Sequence, residues 1–277
     1  MEVLTLFLQT ILLRPYVFVF LATFLFSAIR LIGWPRTWRF WLISWATAFV
    51  CEFSSTRSGI PFGWYHYTGS TIGQELYISN IPFMDSISFS FLLFAAYCVA
   101  LCLLLPSQEP SKTLRVLPLR FDLNVRTSWT TLILTACFYA LIDMVIDPVA
   151  LRGDRWFLGK IYYYPDPGIH FGVPVANYVG WLVVGLTSLS IYVPLDRRLP
   201  LVPPVPGDMV TRRLLLGVGL YYGVLAFNLG VTLWIGEGLL AMCGFLLFAL
   251  PTALLIRRLI VRPWISRTGG NRFEDFV

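Results

Sequence analysis

Long apolar runs, separated by shorter polar segments, make up most of the chain. A helix needs about 20 mostly apolar residues to cross the hydrocarbon core of a bilayer. By this measure seven runs predict transmembrane helices, and the run at 37–53 is at the lower limit of length. The predicted spans are 16–33, 37–53, 81–105, 127–151, 173–194, 214–235 and 238–260. The pattern therefore predicts an all-α fold, a polytopic transmembrane helical bundle.

The first apolar run, residues 3–13, is too short to span a membrane, and Arg14 and Pro15 end it. We interpret it as an interfacial helix, with an eighth span as the alternative. No small-residue cleavage site follows a short apolar region, so no cleavable signal peptide is expected. The apolar runs extend along the whole chain without an internal repeat, so residues 1–277 are interpreted as one transmembrane domain.

The composition agrees with a membrane protein. Of the 277 residues, 57% are hydrophobic, 16% are aromatic and only 13% are charged, which is more apolar than a soluble domain of this length requires. The net charge of +6 would suit a nucleic-acid partner, but the arginines flank apolar runs instead of forming one polar face. We therefore expect no nucleic-acid partner and attribute the charge to membrane topology.

The distribution of positive charge predicts an orientation. Seven spans place the N-terminus and the segments 54–80 and 152–172 on one side of the membrane, which we call the outer side. That side carries five of the 21 lysines and arginines, and the opposite side carries the other 16. Because cytoplasmic loops are enriched in Lys and Arg, the N-terminus is predicted outside and the C-terminus inside.

The sequence contains no cluster with the spacing of a metal site. The five cysteines lie in apolar runs without paired spacing, and only two histidines are present, His66 and His170. No metal is therefore expected. We interpret the cysteines as packing residues and the histidines as hydrogen-bonding or membrane-interface residues.

Two aspartates, Asp143 and Asp147, interrupt the apolar run at 132–151. An ionisable group at bilayer depth costs about 2.5–3.5 kcal/mol, so it seldom persists there without a function. The spacing of four residues places both carboxyls on one helix face. Pro148 follows directly and is expected to kink or end the helix beside them. This pair is the first candidate for chemistry.

Two further acids are expected at the same side of the membrane. Glu52 lies at the outer end of the second span, and Asp85 lies at the outer start of the third. Clustered acids in a low-dielectric site cannot all ionise, so at least one should keep its proton and could donate it. The alternatives are solvated acids at the interface, ion pairs with Arg57, Arg152 or Arg155, and, for Asp85, a favourable position at a helix N-terminus.

Aromatic residues are concentrated in the outer segments. They suit a bulky apolar polyene, or a carbocation formed on it, beside an acidic pocket. The alternative is an aromatic belt at the membrane interface, which is our interpretation of Tyr162–Tyr164. Asn177 could cap a helix or orient a water molecule. The candidate substrate-binding residues are Phe62, Trp64, Tyr65, His66, Tyr67, Asn177 and Trp181.

Four segments taken together resemble the carotenoid 1',2'-hydratase (CruF) family, which includes the bisanhydrobacterioruberin hydratases. The segments are Glu52 with residues 59–68 (GIPFGWYHYT), Ile81 and Pro82 ahead of Asp85, residues 143–148 (DMVIDP), and residues 172–181 (GVPVANYVGW). The resemblance covers about residues 50–185. It implies a membrane enzyme of carotenoid biosynthesis that adds water to a terminal isoprenoid double bond without a cofactor.

Such a reaction needs a proton donor, a way to stabilise the resulting cation, and a positioned water molecule. We expect Asp143 to be the donor and Asp147 to share or raise its proton affinity. Glu52 or Asp85 would position or deprotonate the water, and the aromatic residues would line the pocket. The expected partners are a carotenoid, water and membrane lipid.

Two alternatives stay open at this point. A proton-coupled transporter or lipid-binding membrane protein would also contain acids in its spans. A cyclase or isomerase acting on another isoprenoid would use the same acid chemistry. Under each of these hypotheses the chain is a multi-pass protein, and we expect it in a bacterial or archaeal cell membrane. The oligomeric state is not predicted.

Overall fold

The polypeptide folds as a bundle of α-helices, and two of its connecting segments pair with each other at one end of the bundle. The computed structural model describes residues 2–108, 117–200 and 205–260. Within these ranges the helices are α1 (Glu2–Leu13), α2 (Pro15–Ile32), α3 (Trp34–Ser58), α4 (Phe83–Leu104), α5 (Leu123–Arg126), α6 (Trp129–Ala150), α7 (Val175–Arg197), α8 (Gly207–Trp234) and α9 (Gly238–Leu259).

Six of these helices are long and apolar enough to cross a membrane: α2, α4, α6, α7, α8 and α9. They coincide with six of the seven predicted spans, which confirms the all-α polytopic bundle. The seventh predicted span, 37–53, lies inside α3. That helix has 25 residues, but Arg36, Arg39, Glu52 and Arg57 make it less apolar than the others. It nevertheless packs against α4 and α7.

Helix α4 lies at the centre of the bundle. Its most apolar window is 83% buried, the highest share among the six candidate spans, and it packs against α2, α3, α6 and α8. An all-round apolar sequence is what a fully surrounded helix requires. The acid in its first turn, Asp85, is therefore held against neighbouring helices and loops.

The short N-terminal helix α1 has 12 residues, of which Thr10 is the buried one. Its length agrees with a helix that does not span, whereas its predicted position in the membrane interface stays a prediction. Thr10 Oγ1 accepts a hydrogen bond from the backbone N–H of Leu76 at 2.8 Å. Directly after the helix, Arg14 is buried and its Nη2 lies 3.2 Å from Glu75 Oε1, which fixes a connecting segment to the bundle.

Two connecting segments, residues 59–82 and 151–174, form what we call the cap. Strand β1 (His66–Tyr67) pairs antiparallel with β4 (Tyr162–Tyr163), and this pairing places Tyr67 opposite Tyr162. Strands β2 (Tyr77–Ile78) and β3 (Ile81–Pro82) form a second short ribbon. The first ribbon joins segments that are far apart in the sequence, so residues from both can reach the same end of the bundle.

At the end of the bundle away from the cap, the buried carboxyl of Asp196 forms ion pairs with two arginines. Asp196, in the last turn of α7, lies 2.5 Å from Arg36 Nε through Oδ1 and 2.8 Å from Arg126 Nη2 through Oδ2. All three side chains are at most 8% exposed. The ion triad ties the ends of α3, α5 and α7 together.

Candidate functional site

A cavity of about 130 Å³ lies beneath the cap, and all four predicted acids are in its wall. Glu52 comes from α3, Asp85 from α4, and Asp143 and Asp147 from α6. Five of the seven predicted substrate-binding residues also line it. They are Phe62, Tyr65, Tyr67, Asn177 and Trp181. The structure thus brings together residues from four helices (α3, α4, α6 and α7) and the cap that are separated by up to about 130 positions in the sequence.

Asn177 links the two aspartates of α6. Its Nδ2 donates one hydrogen bond to Asp143 Oδ2 at 2.6 Å and another to Asp147 Oδ2 at 2.9 Å. Since Asn177 lies in the first turn of α7 but makes no cap hydrogen bond there, its amide is committed to the acids. The other oxygen of Asp143, Oδ1, is buried and has no hydrogen-bond partner among the described residues.

Two tyrosines of the cap complete the surroundings of Asp147. The hydroxyl of Tyr162 donates to Oδ1, and the hydroxyl of Tyr164 donates to Oδ2 at 2.7 Å. Burial raises the pKa of both tyrosines, and the carboxyl of Asp147 raises it further, so both stay neutral donors. Asp147 therefore receives three hydrogen bonds and Asp143 receives one. Hydrogen bonds to a charged form favour that form, so the two carboxyls are in chemically different surroundings.

The second pair of acids shares one tyrosine hydroxyl. Tyr67 Oη lies 2.7 Å from Glu52 Oε1 and 2.6 Å from Asp85 Oδ2. Burial raises the pKa of Tyr67, and the carboxyls of Asp85 and Glu52 raise it further, so the phenol keeps its proton. A phenol has one proton to donate. Both contacts can be hydrogen bonds only when one of the two carboxyls is protonated and donates to Tyr67.

The two carboxyls on Tyr67 differ in access. Glu52 is only 1% exposed, and its second oxygen, Oε2, is buried without a hydrogen-bond partner among the described residues. Asp85 is half-buried and belongs to the cavity wall. All three side chains line the cavity, and Asp85 is the more exposed of the two carboxyls.

Ion pairing does not account for these acids. In the described ranges, none of the four carboxyls has a Lys or Arg within ion-pair distance; the arginines proposed as alternative partners are engaged elsewhere. Arg57 lies over the ring of Phe53, 3.5 Å from its centroid. Arg152 and Arg155 both pair with Glu237, and Arg152 Nε is 3.0 Å from its Oε1. The interpretation as arginine-paired structural acids is wrong for this cluster.

Aromatic rings form the other part of the wall. Trp181 stacks on Phe89 with centroids 4.4 Å apart and meets Tyr139 edge-on at 4.5 Å. Phe62 enters from the cap and lies 5.8 Å from Phe89. A Cβ at Gly180 would lie 2.9 Å from Phe62 Cα, so the missing side chain at this position allows the cap to approach α7. The wall offers ring faces beside carboxyl groups.

Some residues are placed differently from the prediction. Trp64 is 49% exposed, and His66 packs beside Tyr163 in the ribbon; neither lines the cavity. The interpretation of Tyr162 and Tyr164 as belt residues is wrong, because both are buried against Asp147. In the sequence, only their position shortly after the two aspartates indicated a functional role. The pairing of β1 with β4 is what places their hydroxyls against Asp147.

A further part of the wall was not predicted from the sequence. It comes from α2 and α8 and consists of Tyr16, Val17, Phe20, Val224, Phe227 and Asn228. Apolar residues within apolar spans give no functional signal, which is why these were missed. Asn228 is the one amide side chain in this part of the wall, and its Nδ2 donates a hydrogen bond to the backbone oxygen of Val224 in its own helix at 2.9 Å. In the part of the chain that the structure describes, no three His, Cys, Asp or Glu residues could hold a metal ion.

Comparison with known proteins assigns the chain to a protein family. Residues 3–251 match a family model described as "Carotenoid biosynthesis protein". The chain belongs to this carotenoid biosynthesis family. The resemblance stated from the four sequence segments is confirmed. The six apolar helices agree with a multi-pass membrane protein.

A curated relative narrows the comparison. The chain is 31% identical over 199 residues to a protein of Haloarcula japonica named "Bisanhydrobacterioruberin hydratase". The match covers 70% of this chain and 56% of the relative, so the carotenoid biosynthesis protein described here spans little more than half the length of that relative. No solved structure matches the chain.

Proposed function

We propose that this protein hydrates a terminal isoprenoid double bond of an acyclic or monocyclic carotenoid in a bacterial or archaeal cell membrane. One observation carries the proposal: a cavity with four carboxyls in its wall, none of them paired with an arginine among the described residues, and ring faces beside them. Family membership supports the carotenoid, and the relative's name supports hydration. The reaction requires acid and water, and no cofactor.

The first step is protonation of the double bond, and we assign it to Asp143. Its Oδ1 lacks a partner, so a proton on this oxygen is free to reach the substrate. Asp147, which receives three hydrogen bonds, is the carboxylate of the pair. The π electrons of the alkene take the proton to form a new C–H bond. Asp143 is left as a carboxylate, and the more substituted carbon becomes a tertiary cation.

Ring faces stabilise that cation. A cation over an aromatic face gains about 0.5–2 kcal/mol, with the larger values in desolvated sites. Trp181 and Tyr65 lie in the wall beside the acids, and the stack of Trp181 on Phe89 holds the indole in place. The carboxylate left on Asp143 adds an opposite charge at short range.

Water then adds to the cation, and the unit formed by Glu52, Tyr67 and Asp85 takes its proton. Asp85 is the accessible end of this unit and accepts the proton as the C–O bond forms. Before the reaction the carboxyl proton of this unit is on Asp85, and Glu52 is the carboxylate. As Asp85 takes the proton from water, its own proton passes to the oxygen of Tyr67 and the proton of Tyr67 passes to Glu52. The product is a tertiary alcohol. Return of one proton from this unit to Asp143 restores the starting state.

The test is expression of the full chain in a host that makes acyclic carotenoids. The expected product is heavier by one water molecule and keeps its visible absorption, because a terminal double bond lies outside the conjugated chromophore. Asp143→Asn should give none of it. Asp122→Asn is the matched control, since Asp122 caps α5 far from the cavity and asparagine also caps helices.

Two other outcomes have distinct meanings. A product of unchanged mass but altered absorption would identify a cyclase or isomerase instead. No new product from several acyclic and monocyclic carotenoids, in membranes that contain the folded protein, would contradict the proposed function. Hydration at the same rate by Asp143→Asn would contradict the assignment of the acid.

A further inference from the structure

The cavity is too small for a whole carotenoid. An apolar cavity of about 150 Å³ binds one benzene molecule, and this cavity measures about 130 Å³. It can therefore hold little more than a five-carbon isoprenoid end group. If the proposed function is correct, the remaining hydrocarbon chain must leave the cavity through its wall during the reaction.

The wall between α2 and α8 is built from half-buried rings. Tyr16 and Phe20 lie one turn apart on α2, and Phe227 faces them from α8. The ring of Phe227 stacks on Tyr16 with centroids 5.1 Å apart and meets Phe20 edge-on at 5.8 Å. On its inner side Phe20 contacts Phe91, 5.8 Å away, which is 3% exposed and also lines the cavity.

The same rings continue to the surface. Tyr16 contacts Phe157 of the cap at 5.5 Å, and Phe157 contacts Trp234 at the end of α8 at 6.5 Å. Phe157 is 53% exposed and Trp234 is 68% exposed, and neither lines the cavity. We call this continuous row of six rings the aromatic seam: Phe91, Phe20, Phe227, Tyr16, Phe157 and Trp234.

The uncharged, aromatic character of the seam indicates what kind of ligand could bind along it. Residues 15–29 of α2 and 214–234 of α8 contain no charged side chain, so the part of the seam that lies between these helices has an uncharged, apolar surrounding. An interfacial belt would account for exposed rings alone. It does not require a row of contacts that ends on a buried ring of the cavity. Ring faces in a row suit a long conjugated hydrocarbon, whose π faces can stack on them.

We infer that the carotenoid enters from the side, between α2 and α8, and that its polyene chain lies along the aromatic seam while its end group occupies the cavity. This inference rests on the proposed function and adds the path of the substrate. It also makes the seam the part of the protein that distinguishes long isoprenoids from short ones.

The experiment compares two substrates in membranes that contain the full chain. One is an acyclic carotenoid, and the other is a ten-carbon isoprenoid hydrocarbon that carries only the end group. The variants Phe157→Ala and Trp234→Ala remove rings of the seam outside the cavity. Each should lower the ratio of long-substrate to short-substrate hydration by about 3- to 10-fold, as expected for the loss of an aromatic stacking contact. The double variant should lower it further.

Trp129→Ala is the matched control. Trp129 is also an exposed tryptophan, at 67%, but it starts α6 at the end of the bundle away from the cap. Its ratio should equal that of the wild type. An unchanged ratio in both seam variants, or an equal fall in all three variants, would overturn the inference. Melting temperature in detergent checks that each variant is folded.

A binding measurement separates this inference from the proposed function. Purified protein is loaded with the same carotenoid in detergent, and the pigment that co-elutes with it is quantified by absorbance. Binding that is weaker by the same factor in the seam variants, without hydration by the wild type, would support the seam and contradict the hydratase. Hydration by the wild type, with the same ratio of long-substrate to short-substrate hydration in the seam variants, would support the hydratase and contradict the role of the seam.

Discussion

Both ends of the bundle contain buried acids, but the acids have different partners: arginines at one end and neutral hydrogen-bond donors at the other. At the end away from the cap, Asp196 is held by two guanidinium groups, from Arg36 and Arg126. At the cap end, four carboxyls line one cavity and are met only by hydroxyl and amide donors among the described residues. Helix α7 contributes to both ends, with Asn177 in its first turn and Asp196 in its last.

The difference indicates which acids hold the fold and which are available for chemistry. A buried carboxyl paired with arginine is already neutralised, and its removal leaves uncompensated positive charge. A buried carboxyl without such a partner costs free energy in the folded state. Departures from locally favourable choices are expected at functional sites. The cap end is therefore where substitutions should change the reaction, and the opposite end is where they should change stability.

The largest effect is expected for Asp143→Asn. A general acid contributes about 10²- to 10⁴-fold to a rate, so hydration should fall by at least that factor. Stability should be unchanged or higher, because asparagine keeps the shape and removes a buried ionisable group. Initial rates of product formation and thermal melting in detergent check both statements. A large drop in melting temperature would place Asp143 with the structural acids.

The opposite result is expected for Asp196→Asn. Removing one partner of a buried ion pair costs about 3–5 kcal/mol, so the melting temperature and the yield of folded protein should fall sharply. The protein that remains folded should hydrate at nearly the wild-type rate per molecule. Melting curves and activity normalised to folded protein measure the two effects. Normal stability in this variant would show that the ion triad does not hold the fold.

A smaller effect is expected for Tyr67→Phe, which deletes only the hydroxyl between Glu52 and Asp85. A hydrogen bond to a charged group contributes about 1.5–3 kcal/mol, which corresponds to a rate loss of about 10- to 100-fold. Tyr163→Phe is the matched control, because Tyr163 lies in the same ribbon, opposite His66, but is 42% exposed. Equal rates in the two variants would remove Tyr67 from the proton path.

The smallest effect concerns Glu237, in the turn between α8 and α9. Burial raises the pKa of Glu237, but hydrogen bonds and charges from Arg152 and Arg155 outweigh it, so the pKa is lowered. The stabilisation is therefore complete above the ordinary carboxyl pKa and is lost as the pH falls through the lower, folded-state value. An exposed ion pair contributes up to about 1 kcal/mol.

The difference in melting temperature between wild type and Glu237→Gln should thus be small at pH 7 and should disappear in acid. A difference that grows as the pH falls would contradict this assignment. In either case the hydration rate should not change, because Glu237 lies outside the cavity wall.

The sequence predicted the features that depend on local spacing. The four-residue interval between Asp143 and Asp147 was sufficient to place both carboxyls on one face, and Asn177 does reach both. Alternation of spans predicted that Glu52 and Asp85 would lie at the same end. Six spans were identified from length and apolarity, while α3 is less apolar because its ends carry arginines.

The features that could not be predicted depend on contacts between distant segments. Tyr162 and Tyr164 reach Asp147 only because β4 pairs with β1, and no local pattern specifies that pairing. Phe20 and Phe227 are ordinary apolar residues of two spans until α2 and α8 pack against each other. The single-domain organisation and the orientation in the membrane stay predictions.

The central claim is that Asp143 carries a proton while Asp147 does not. Infrared difference spectroscopy of the wild type against Asp143→Asn, in membranes at neutral pH, measures this directly. We predict that the wild type has a carbonyl band of a protonated carboxylic acid that the variant lacks, and that Asp147→Asn removes a carboxylate band. A spectrum in which Asp143 contributes only carboxylate bands would contradict the account.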